Sequence, residues 1–137
     1  MREKILVIAA HPDDEVLGCS GTIAKKVFEE KAEVNTLILS KGILSRDNLK
    51  NKKRKVFSNE KSAIAANKIL GVNKLEILNF PDNSFDSVPR LKLIKEIEKR
   101  IKKYSPSTIY THFHGDLNID HQIISQAVLT ACRPIKK

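Results

Sequence analysis

Ile5-Leu6-Val7-Ile8-Ala9-Ala10-His11-Pro12-Asp13-Asp14-Glu15 is an apolar run that stops at a histidine, a proline and three acids. Its short length, its β-branched content and the bounding proline mark a buried parallel strand. The polar residues then fall at the strand's carboxyl end, the edge where open α/β sheets place their ligands. Of the chain's 4 histidines, the remaining ones are His112, His114 and His121. They cluster just after the last strand-like run, Thr108-Ile109-Tyr110-Thr111. Every histidine thus lies near one of two strand ends that can be neighbours.

Outward from the first strand, strand-like and helix-like patterns alternate. A first helix is predicted over 14–31, burying Val16, Leu17, Ile23, Ala24, Val27 and Phe28, with Asp13 and Asp14 suited to its positive end. The second strand is expected over 33–40, followed by a polar, basic loop from 41 to about 53. The second helix carries Val56, Ala63, Ala66, Asn67 and Leu70 and stops at Gly71. A third strand over 75–78 leads into a loop over 79–89. The third helix, about 90–104, buries Leu93, Ile94, Ile97 and Ile101 and turns its lysines outward. The fourth strand is expected over 107–111. The last helix begins near Asp120 and buries Ile123, Ile124, Ala127, Val128 and Ala131. This βαβαβαβα order predicts an α/β fold, a parallel sheet with helices on both faces, in a single domain over 1–137. Gly18-Cys19-Ser20-Gly21 lies inside the first helix pattern and lacks the lysine and spacing of a phosphate loop.

With 137 residues, 41% apolar and 30% charged, the chain suits one soluble globular domain. No apolar stretch is long enough to span a membrane, and the opening run is too short for a signal peptide. A cytoplasmic location is therefore expected. Cys19 and Cys132 lack metal-ligand spacing and are expected to be small buried thiols. The net charge of +9 suits an acidic or phosphate-bearing partner. Aromatic residues make up only 5% and form no stacking platform among the basic residues, so nucleic acid is not an expected partner.

The strand ends carry the chemistry. His11 and Asp14 are spaced to converge on one cation, and His121 is the best candidate for a third ligand. Two histidines and one carboxylate leave coordination positions open, the arrangement of a catalytic zinc site, and Fe(II) suits the same set. Asp13 diverges from its neighbour Asp14, so it is expected to face metal-bound water and move its proton. Glu15 is expected in a supporting role, pairing with a neighbour or holding a ligand histidine. Asn118 can donate to a developing oxyanion, and Asp120 can orient side chains around the metal or serve as a first-turn helix residue.

These motifs resemble the LmbE-like, or PIG-L, family of metal-dependent N-deacetylases. The resemblance runs in family order through Ala10-His11-Pro12-Asp13-Asp14-Glu15 with Gly18 and Gly21, Glu60, Leu70-Gly71-Val72, Phe80-Pro81-Asp82 and Asn118-Ile119-Asp120-His121. It implies a Rossmann-like fold and removal of an N-acetyl group from an N-acetylglucosamine-type sugar or glycoconjugate. It further implies zinc on His11, Asp14 and His121, with Asp13 as general base and acid. An anionic conjugate would suit the basic cluster of Lys50 and Lys52-Lys53-Arg54-Lys55. The chain departs from the family pattern at Asn118, where many members have histidine; His112 or His114 is the expected compensation. It departs again at Phe57, where many have arginine. Family members are longer, so the chain is expected to be C-terminally truncated, with its fourth strand an edge that invites self-association and with weak activity. Two alternatives stand beside the deacetylase: a catalytically silent fragment of one, and a basic phosphate- or nucleic-acid-binding α/β protein.

Overall fold

The computed structural model describes residues 2–42 and 52–134, with side chains for 2–42 and 58–134. Lys50 and the side chains of Lys52 to Phe57 lie outside the described residues. Strands β1 (Lys4–Ala9), β2 (Glu33–Ser40), β3 (Lys74–Phe80) and β4 (Thr108–Tyr110) form one sheet in the order β3-β2-β1-β4. All three ladders are parallel. Helices α1 (Asp14–Ala24), α2 (Lys52–Ile69), α3 (Arg90–Tyr104) and α4 (Ile119–Ala131) make the crossovers and close the chain.

β1 is apolar throughout because both of its faces are covered. Leu6, Ile8 and Ala10 join Leu37 and Leu39 of β2 and pack on α3 and α4 through Leu93, Ile97, Ile124 and Ala127. Ile5, Val7 and Val34 point the other way, onto Ile23 of α1. Ala9 and Ile38 meet Ala63 of α2 on that same opposite face. The expected helices on both faces are therefore present. Strand order steps outward from β1 to β3 and then returns to place β4 on the free side of β1. The switch point between β1 and β4 is where such sheets open a crevice, and the histidines stand there. β4 lies at one end of the described sheet, as expected of it.

Several local expectations are corrected. The first helix is not one continuous α-helix over 14–31: Cys19 departs from helical angles (φ −147°, ψ 19°), and residues Lys25–Glu29 form a π-helical turn. Leu17 is 82% exposed because the helix buries Glu15 instead, two residues and roughly half a turn away. The wider winding after Ala24 leaves Phe28 54% exposed. Cys132 is exposed and Cys19 only half-buried, since Cys132 sits just past the last turn of α4. Within the 79–89 loop, a 3-10 turn at Phe85–Ser87 drops Phe85 fully into the core, and Asp82 is buried with it. Gly71 ends α2 as expected, at φ +71°, where a Cβ would lie 2.8 Å from Val27 Cγ1.

Candidate metal centre

Pairing of β1 with β4 sets the site. Val7 lies opposite Tyr110, so the residues leaving each strand meet. Thr111 Oγ1 donates to the Ile8 carbonyl at 3.1 Å, and the Ala10 N–H donates to His112 Nε2 at 2.8 Å. That bond requires a lone pair on Nε2, so His112 carries its proton on Nδ1. Burial and the neighbouring His121 push His112 down to about 4, and it is neutral near pH 7. Its ring stacks on His121 with centroids 3.9 Å apart. His112 is therefore a neutral support, unable to supply a charged donor in place of the family's histidine. His114 is exposed and lies against Phe113.

His11, Asp14 and His121 bring one ligand atom each within 4.8 Å of one another. His11 Nδ1 lies 3.3 Å from Asp14 Oδ2, and His121 Nε2 lies 3.2 Å from the same oxygen. The other nitrogen of each ring has its own carboxylate. His11 Nε2 is 2.9 Å from Asp120 Oδ2 and 3.1 Å from Asp82 Oδ1, and His121 Nδ1 is 3.0 Å from Asp116 Oδ2. A neutral ring that gives its N–H to that carboxylate turns a lone pair toward Asp14. His121 Nε2 is buried and makes no hydrogen bond among the described residues. A lone pair facing a carboxylate oxygen at this distance repels unless a cation sits between them. Tetrahedral zinc with bonds of about 2.0–2.1 Å has ligand-to-ligand edges of about 3.3–3.4 Å. The residues fit a divalent ion, and the two-histidine, one-carboxylate set also admits Fe(II).

The electrostatics draw a cation to this place, and without a metal that cation is a proton on His11. Burial disfavours charge on His11, yet its bonds to Asp120 and Asp14 and the charges of Asp14 and Asp82 raise it to about 10. Burial likewise opposes charge on Asp14, but the His11 ring and backbone bonds, with His121 and His112 nearby, hold it below the ordinary carboxylate range. A metal ion held by His11 Nδ1 would take the place of that proton.

Asp120 is fully buried. Its Oδ1 accepts the Phe85 N–H at 3.0 Å while Oδ2 holds His11. It is both a first-turn helix residue and an orienting group, the two readings the sequence left open. Asn118 caps α4, its Oδ1 accepting the Asp120 N–H at 2.9 Å, which leaves its Nδ2 hydrogens as the donors. Asp13 is exposed, belongs to none of the three groups of mutually close ligand atoms, and makes no capping bond to α1. Its backbone is at φ 116°, ψ −30°, a conformation that costs a non-glycine residue about 1–3 kcal/mol and concentrates at functional sites. Glu15 does not hold a ligand histidine; it accepts the Asp13 N–H at 3.1 Å and an Asn67 N–H at 2.8 Å. Sequence reasoning gave no role to Asp82 or Asp116. Asp82 stands in the quoted Phe80-Pro81-Asp82 stretch, and Asp116 precedes His121 by five residues, which is the only signal either one offered.

A family model, PIG-L, described as GlcNAc-PI de-N-acetylase, matches residues 6–132. The chain belongs to the PIG-L family. An uncharacterized deacetylase, YaiS of Escherichia coli strain K12, is 31% identical to this PIG-L chain over 139 residues, covering 98% of the chain and 70% of that protein. Among solved structures, N,N'-diacetylchitobiose deacetylase from Pyrococcus horikoshii superposes with a TM-score of 0.82 at 23% identity, covering 94% of this chain and 49% of that one. GalB, the 4-carboxy-2-hydroxymuconate hydratase from Pseudomonas putida KT2440, gives 0.80 at 20% identity, covering 94% and 55%. At such identities these likenesses speak for the fold, and a hydratase among them shows that the fold alone does not fix the reaction. The chain spans about half the length of these solved proteins. Among its described residues, no helix is long and apolar enough to cross a membrane.

Proposed function

We propose that the chain is a metal-dependent N-deacetylase acting on an N-acetylglucosamine-type sugar or glycoconjugate. The names of the PIG-L model and of the Pyrococcus deacetylase support the acetamide and the sugar. His11 Nδ1, Asp14 and His121 Nε2 hold the divalent ion, zinc or Fe(II). When bound, the ion supplies Lewis acidity and lowers the pKa of water. Asp13 takes a proton from the attacking water and later delivers it to the departing amine, so that amide and water become acetate and amine. The Asn118 amide donates to the oxygen on which charge develops. Asp120 and Asp82 hold the His11 ring, and Asp116 holds that of His121. The net charge of +9 supports an anionic conjugate, which long-range attraction would favour at low salt.

The observation that carries this reading is the convergence of two imidazole nitrogens on one Asp14 oxygen, at 3.3 and 3.2 Å, beside an acid in a strained turn. Amine release from a panel of neutral and phosphorylated N-acetyl sugars, with and without chelator, tests it. The expected result is release that chelator abolishes and metal restores. Metal-loaded protein that is inert on every N-acetyl sugar would leave the silent-fragment alternative standing. Among the described residues β4 pairs only with β1, which supports self-association along its other side, and sedimentation of the same sample reads it out.

A further inference from the structure

The reaction proposed above uses Asp13 but does not use Glu15 or Asn67, two buried polar residues directly behind it. Glu15 is 2% exposed and Asn67 is equally buried. One Glu15 oxygen accepts the Asp13 N–H at 3.1 Å and the other accepts an Asn67 N–H at 2.8 Å. Asn67 also donates to the Ala63 carbonyl of its own helix at 2.9 Å. Both donors of the amide are thus committed, while its buried Oδ1 has no partner among the described residues. An apolar pair would avoid burying a carboxylate and an unsatisfied acceptor.

A helix cap accounts for part of this. A glutamate in the first turn that reaches back to the N-cap N–H is half of a capping box. The cap alone does not call for a partner 52 residues away on α2, nor for complete burial. The backbone it grips is also the one in the chain's most strained non-glycine conformation at the site, φ 116° at Asp13. Such a conformation persists only where its surroundings over-determine it.

We infer that Glu15 and Asn67 form a buried clamp, anchored on α2, that fixes the strained Asp13 backbone and so positions its proton-transfer carboxylate. Glu15 and Asn67 are positioning residues: both are buried and act through the Asp13 backbone. The inference rests on the deacetylase reading for the role of Asp13, but the clamp has a signature of its own. An amide that donates to a carboxylate has its proton resonance far downfield and exchanges slowly with solvent.

The test uses the full chain, zinc-loaded and 15N-labelled, as wild type, Glu15→Gln, Asn67→Asp and the double exchange. The Asp13 amide proton and the deacetylation kinetics are read on the same samples. Glu15→Gln keeps the shape and removes the charge. It should move the Asp13 amide upfield and lower kcat by roughly 10- to 100-fold, with KM and zinc content unchanged. Asn67→Asp sets two carboxylates face to face and should lose more. In the double exchange the new amide donates to the new carboxylate, its oxygen still faces the Asp13 N–H, and kcat should recover above that of Asn67→Asp. An Asp13 amide and a kcat indifferent to Glu15→Gln, or a double exchange no better than Asn67→Asp, overturns the clamp. Wild-type protein that holds zinc without releasing amine overturns the activity reading instead, and the amide shift then decides the clamp alone.

Discussion

His121 Nε2 and Asp14 Oδ2 lie 3.2 Å apart with no hydrogen bond between them. With the His121 proton given to Asp116 on the far side of the ring, two electron pairs face one point. Metal should therefore bind the folded chain and not the unfolded one, and stabilise it accordingly. At free zinc of 100 times the dissociation constant, the gain is about 2.7 kcal/mol. Thermal unfolding with and without zinc should show the rise in Tm for wild type and none for Asp14→Ala.

Asp13 stands beside the ligand set and outside it. Asp13→Asn should leave metal content intact and lower the deacetylation rate by about 10²–10⁴-fold, the range for a lost acid–base group. Metal content and turnover measured together check this. Loss of metal equal to that of Asp14→Ala would make Asp13 a ligand.

Asp120 links the Phe85 backbone to His11. Asp120→Asn retains an oxygen for the Phe85 N–H but turns an amide toward His11 Nε2, which disfavours the tautomer that leaves Nδ1 free. Metal affinity or activity should fall by about 10–100-fold, as expected for an orienting partner. Competition with a chromogenic chelator measures the affinity.

Away from the site, Glu76 of β3 binds Arg100 at 3.0 Å and Lys103 at 2.8 Å, with Tyr104 as a third partner on α3. Burial would raise Glu76, but its bonds to Lys103, Tyr104 and Arg100 pull it down to about 2. A carboxylate depressed on folding adds stability that is present above its ordinary value of 4.5 and lost as pH falls from there through 2. Glu76→Gln should flatten stability over that window and lower it at neutral pH by no more than about 1 kcal/mol, because the network is partly exposed. Denaturant titrations from pH 2 to pH 7 give both numbers.

Much of this was legible in the sequence because it is local. The bounds of β2 and α3 follow from short-range hydrophobic period, and the proposed metal ligands cluster at two strand ends. The missing parts depend on distant contacts. Glu15 is expected to pair with a neighbour or hold a ligand histidine, and α2 brings Asn67 to it across 52 residues. Leu17 looked buried by periodicity, but burying Glu15 and bending at Cys19 turned it outward. Asp82 carries no role in its own stretch, because its partner His11 lies far off in the sequence, just past the end of β1. Asn118 reads as an oxyanion donor in the sequence, and only the fold shows its oxygen capping α4.

The central claim is that His11, Asp14 and His121 form one metal centre, and elemental analysis of the purified chain tests it most directly. Wild type reconstituted with zinc and passed through a desalting column should retain about one ion per chain, and His121→Ala, treated identically, should retain almost none, since two ligands rarely hold zinc tightly. Full occupancy in His121→Ala, or a wild-type chain that emerges without metal, would contradict the account.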